Sequence, residues 1–244
     1  STGGDVQIDN FNVGADEIIV FAGTRDLGGN TLGQGGPDGR SVSGYSNWVD
    51  DAVTRGETAT PDGVNNPDLG THTAVDTAIW GGSIAFDSDA DWCFDSDISS
   101  DDVPAGEADF YSVALHELGH LLGLGIVDAW SNQIAGSTFT GAHSVVAYNA
   151  TNPGASSVPL YLSGGVYGHW AEGTQSFVDG TQQEAAMDPN ILLGTRKVFT
   201  DLDVAALQDI GYEVTAVPLP AGIWLMLGAL PMLMVARSRA KRES

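Results

Sequence analysis

His116-Glu117-Leu118-Gly119-His120, followed by Gly123, is the stretch that decides how this chain folds and what chemistry it can do. On a helix, positions i and i+4 project from one face, so the two imidazoles can converge on a single ion. The flanking residues predict such a helix over Asp109–Leu122, because Phe110, Val113, Ala114, Leu115, Leu118, Leu121 and Leu122 make an apolar, core-facing run. Gly123 and Gly125 end it sharply. An unpartnered glutamate in such a helix would be costly to bury, and a water held on a metal removes the difficulty. Zinc accepts imidazole nitrogen in a tetrahedral shell, and three protein ligands plus one water mark a catalytic site. Glu117, next to the first imidazole, can reach that water as a general base. The expected chemistry is zinc-dependent hydrolysis of peptide bonds.

A catalytic zinc needs a third protein ligand. The five histidines are His72, His116, His120, His143 and His169. His169, in Tyr167-Gly168-His169-Trp170 upstream of Met187, is the favoured donor. His143, after a loop rich in Gly, Ser and Thr, and Asp128, an oxygen donor, are the alternatives. His72 reads as an ordinary loop histidine.

The stretch from His116 to Gly123 resembles the metzincin pattern H-E-x-x-H-x-x-G-x-x-H, in which the glycine brings a third His back to the metal. Ile126 stands at the final position here and cannot bind zinc. The order of helix pair, glycine, long insertion, His169 and then a Met-containing turn resembles the leishmanolysin-type arrangement. Glu184-Ala185-Ala186-Met187-Asp188-Pro189 resembles the Met-turn, which would place Met187 beneath the zinc ligands. Trp80-Gly81-Gly82-Ser83-Ile84-Ala85-Phe86-Asp87 resembles the matrixin edge strand above the cleft, whose free backbone groups could pair with an extended peptide. Ala85 takes the place of a structural-zinc His, so no second zinc of that kind is expected. From Asp5 to Val214 the chain is similar to bacterial matrixin-type peptidases. The resemblance implies an α+β fold: a metzincin-like domain over 1–214 with a twisted mixed sheet, a zinc-binding helix and a C-terminal helix, Asp201–Ile210, for which Thr200 is a candidate N-cap.

Composition narrows the partners. Hydrophobic residues at 42% of 244 are enough for one sizeable core. Four of the nine basic residues, Arg237, Arg239, Lys241 and Arg242, lie in the last eight positions. The body thus carries five basic residues against 31 acidic ones, and a surface this acidic does not bind nucleic acid by charge. Asp87, Asp89 and Asp91, with Asp95 and Asp97 behind them, are candidate calcium ligands, since calcium takes several oxygens; the alternative is a solvated acidic loop. The single cysteine, Cys93, excludes an intrachain disulfide and reads as a small buried residue. Ser1 in place of Met, with no leader after it, leads us to expect a signal peptide removed or lying upstream, and an incomplete N-terminal part of the fold.

The end of the chain has its own logic. Ala216–Ala236 carries no charge, is about long enough to span a bilayer, and is followed at once by basic residues. Val217-Pro218-Leu219-Pro220-Ala221 resembles the VPLPA form of the PEP-CTERM sorting signal. That resemblance implies a Gram-negative source, a transmembrane helix within 215–244, recognition by an exosortase-type enzyme, and export across the inner membrane with transient anchoring before release to the cell surface or beyond.

Elsewhere, Ile18–Phe21 is expected as a buried strand ended by Gly23, Leu27–Gly39 as a loop, Ser46–Arg55 as a helix, Val64–Thr73 as a loop and Ser83–Phe86 as the edge strand. Gly125–Thr181 is expected to be mostly irregular, with a short strand at Ser144–Tyr148. Two functions remain open: an endopeptidase acting on protein or peptide, or an inactive surface or matrix protein that keeps the fold, the latter supported by Ile126.

Overall fold

The computed structural model describes residues 12–13, 17–37, 79–95, 97 and 100–214. The chain divides into two units, Ser1–Glu213 and Val214–Ser244, and every element below belongs to the first. Expectations for Ser46–Arg55, Val64–Thr73, His72 and the apolar stretch 216–236 lie outside the described residues. No helix among the described residues is long and apolar enough to cross a membrane.

The first half is a mixed three-stranded sheet laid against a helix. Strands β1 (Ile19–Arg25), β2 (Gly33–Pro37) and β3 (Gly81–Asp87) run in the order β1-β3-β2. β3 pairs in parallel with β1 and antiparallel with β2. The stretch expected as an edge strand is therefore the middle one among the described strands. Gly81 and Gly82 explain this: a Cβ on the first would lie 2.3 Å from the Ile19 oxygen, and on the second 2.2 Å from the Gly36 oxygen. Lacking side chains there, β3 accepts a strand on each side. β2, expected as part of a Gly-rich loop, lies at one edge among the described strands. β1 runs past Gly23 to Arg25, and Val20 and Phe21 are exposed rather than buried.

Short strands β4 (Trp92–Cys93) and β5 (Ala108–Asp109) lead into helix α1 (Phe110–Leu121). Asp109 caps the helix by accepting from the Ser112 N–H. Arg196 holds the same carboxylate bidentately, at 3.0 and 2.8 Å. Burial pushes the Asp109 carboxyl up, but Arg196 and Ser112 together hold it below the ordinary carboxylate range. Ile84 and Phe86 of β3 bury against Val113 and Leu121 of α1. Cys93 is buried and free, as expected.

The second half contains α2 (Asp128–Ser131), β6 (Ile134–Ala135), β7 (Thr138–Phe139), α3 (Ala142–Asn149), β8 (Val158–Ser163), β9 (Val166–Trp170), β10 (Gln175–Val178), β11 (Thr181–Glu184) and α4 (Asp201–Asp209). The region expected to be irregular is thus built of short hairpins, with β6-β7-β8-β9 forming one antiparallel sheet. Ser144–Tyr148 is helical, not a strand. Its N-cap, Gly141, has no side chain, and Asp209 of α4 supplies the cap by accepting from the His143 and Ser144 N–H groups. The expected last helix is present, with Thr200 and Asp203 forming a capping box. Trp130, Phe139 and Trp170 form the aromatic centre of the larger core, with Leu124, Met187, Leu202 and Ile210 around them.

Candidate metal centre

α1 brings His116 and His120 to one face, and strand β9 delivers His169 to the same point. The His169 Nε2 lies 2.9 Å from the His120 Nε2 and 3.3 Å from the His116 Nε2. Two of the imidazoles have their other nitrogen committed to a backbone carbonyl: His116 Nδ1 donates to the Ala186 oxygen at 2.7 Å and His120 Nδ1 to the Leu124 oxygen at 2.8 Å. A carbonyl only accepts, so the proton sits on Nδ1 and the Nε2 lone pair points inward. Burial lowers all three imidazoles to about 4, so each is neutral at pH 7.

With the His169 proton on Nδ1, which has no hydrogen-bond partner, all three Nε2 lone pairs face one centre, an arrangement that a cation between them stabilises. Two nitrogens bound tetrahedrally to one zinc would stand roughly 3.3 Å apart, given the usual zinc–nitrogen bond length, and the observed separations fit. Backbone carbonyls behind the ligands are the usual partners that fix ring orientation at a metal. The residues present therefore suit zinc, and His116, His120 and His169 form a possible metal site.

Glu117 lies beside this cluster, buried. Burial raises its carboxyl to about 7, partly offset by the Gly35 backbone N–H that donates to it. Leu32 of the β2 approach bonds Asp87. Bonded pairs alternate along an antiparallel ladder, so Gly33 and Gly35 turn outward toward the helix. Their lack of a side chain is required: a Cβ at Gly33 would lie 2.6 Å from Glu117 Cγ, and at Gly35 2.5 Å from the Glu117 oxygen. Nothing in the Gly-rich stretch Leu27–Gly39 signalled this contact, since the partner is a helix more than seventy residues away.

Met187 lies on the other side of α1. A Cβ at Gly119 would meet its sulfur at 2.4 Å, so the methionine packs directly against the turn carrying the histidines. Asp203 of α4 ties the Met187 turn in place, accepting from the Ala186 and Met187 N–H groups and from Trp170 Nε1. Sequence reading missed Asp203 and Gly35; the capping-box spacing from Thr200 was the one visible sign of the former.

The remaining expectations fall elsewhere. His143 lies in the first turn of α3, where its backbone N–H donates to Asp209, and Asp128 begins α2; neither belongs to the converging groups among the described residues. Ile126 is 46% exposed and contributes no donor. The carboxylates of Asp87, Asp89 and Asp91 do not converge either: Asp87 accepts from the Leu27 N–H and Asp89 from the Ser88 hydroxyl. A second acidic group, Glu172, Glu184 and Asp188, already holds the Lys197 ammonium, at 2.7 Å from both Glu184 and Asp188.

Residues 54–135 match the matrixin family model. No curated protein and no solved structure matches the chain. The matched stretch takes in β3 and the whole of α1, supporting a matrixin-like domain and, with it, a zinc metallopeptidase. It stops before β8, so the placement of His169 and Met187 rests on the geometry alone.

Proposed function

We propose that this chain is a zinc-dependent endopeptidase in which His116, His120 and His169 hold the metal and Glu117 is the general base. The observation that carries this reading is the meeting of two buried imidazoles of α1 with a half-buried one from β9, all neutral, beside the buried Glu117. Zinc held by these residues would supply Lewis acidity to a peptide carbonyl and lower the pKa of a water, so that the water gives up a proton more readily as it attacks. Glu117 accepts the proton from the attacking water and passes it to the leaving nitrogen. The Gly35 N–H orients the Glu117 carboxylate, and burial keeps that carboxyl close to the pH at which it exchanges protons readily. Trp80–Asp87 pairs with β1 on one side and β2 on the other, so its backbone groups do not serve as a free edge for an extended peptide.

The inactive-protein reading drew on Ile126, and the convergence of a donor from β9 favours the enzyme instead. The tail residues support export and sorting: VPLPA, an uncharged stretch and a basic end suit transient anchoring and an exosortase-type partner, with release at the surface.

Glu117→Gln tests the central role. The variant keeps stoichiometric zinc and loses about 10³-fold in casein cleavage, within the usual range for removal of a general base. A variant that cuts casein at the normal rate refutes the assignment.

A further inference from the structure

His169 lies 49 residues beyond His120, so something must bring β9 to within bonding distance of the helix. We propose that Gly125 is the positioning residue for this third donor, the place where absence of a side chain lets β9 approach; the proposal rests on the reading of His169 as a zinc ligand. A Cβ at 125 would lie 2.1 Å from the Gly168 oxygen, 2.7 Å from its carbonyl carbon and 2.8 Å from its Cα. All three are backbone atoms, so a larger residue must move the strand. Gly168 immediately precedes His169, and a shift there passes to the imidazole.

The strand cannot relieve the contact by sliding. On one side of the pair, Trp130 Nε1 donates to the Tyr167 oxygen at 2.8 Å. On the other, the Trp170 N–H donates to the Met187 oxygen at 3.0 Å, with the indole fully buried. The neighbouring Leu124 carbonyl accepts from His120 Nδ1. Residues 124 and 125 thus act on two donors at once: one orients His120 and the other makes room for His169.

The contact is unequal in the two directions. A Cβ at Gly168 meets nothing nearer than the Gly125 oxygen at 3.4 Å, an ordinary separation. Gly125 also has φ of 77°, which strains any L residue. Gly173 separates the two effects, because it has the same φ of 77° and its Cβ would meet nothing closer than 3.9 Å.

The test compares zinc dissociation constants, by chelator competition, and cobalt(II) absorption spectra for the full chain and five variants. Gly125→Ala weakens zinc about 100-fold, the upper end of what outer-shell changes cost, and alters the cobalt spectrum, while Gly173→Ala binds within a few fold of the parent. Gly168→Ala weakens binding less than Gly125→Ala. The proposal is overturned if Gly125→Ala binds zinc like the parent, or if Gly173→Ala loses as much. Should Gly125→Ala not fold, Gly168→Val drives a branched side chain into the same contact at ordinary φ; zinc binding equal to that of Gly168→Ala then overturns the proposal. His169→Ala speaks to the underlying reading: unchanged zinc affinity there removes His169 as a ligand, whatever Gly125 does.

Discussion

Three imidazoles at about 4 stand well below their unfolded value of 6.5, and burial is the first cause in each. The sign follows from linkage: as pH falls from 6.5 toward 4 the unfolded chain takes protons first, so their contribution to stability is present above 6.5 and lost on the way down. Within the folded domain, however, the nitrogens stay unprotonated through that window, and protons do not compete with a metal. Zinc affinity accordingly changes little between pH 7.5 and 5.5. Three unperturbed histidines would lose about 10-fold each over the same range, and a drop of about 10³ in competition titrations would contradict the site. His116 and His120 were legible from spacing alone, because the helical period forces them together. His169 was the favoured donor on the order of motifs, but only the approach of Gly168 to Gly125 explains how it arrives.

At the level of elements, α1 is held from several directions. Arg196 grips its cap, β2 covers Glu117, and the Met187 sulfur fills the space over Gly119. Propensity by itself says that Gly119→Ala stabilises the helix by about 1 kcal/mol. The 2.4 Å approach of the Met187 sulfur says otherwise, and overpacking of this kind costs about 1–3 kcal/mol. We expect a net loss of stability in urea denaturation; a gain would mean that the methionine moves aside freely. The elements legible in the sequence were those whose signals are local: α1 from its apolar run, α4 with Thr200 as its N-cap. Those misread depended on distant partners. β2 is a strand because glycines fit against Glu117 and pair with β3. α3 is a helix because Asp209, more than sixty residues on, caps it.

For the whole molecule the dominant long-range term is a formal charge of −23. Self-repulsion of that size opposes the compact state and is screened by salt, whereas the buried Arg196–Asp109 pair is screened little. Raising sodium chloride from about 20 mM to about 500 mM should therefore raise stability by about 1 kcal/mol, or about 2–4 °C in Tm for a domain of this size; a falling Tm would show that exposed ion pairs matter more than net repulsion. The sequence by itself determined the helix that carries two imidazoles and a glutamate, because it is written in spacings of a few residues that the backbone period converts directly into geometry; the α+β class and the last helix came from the family resemblance. Tertiary structure alone decided which strand forms the edge beside Glu117, how the stretch after Gly125 folds, and that His169 rather than His143 or Asp128 meets the helix pair. Those outcomes turn on close approaches between segments far apart in the chain, where the presence or absence of one Cβ sets what fits, and no local pattern records that.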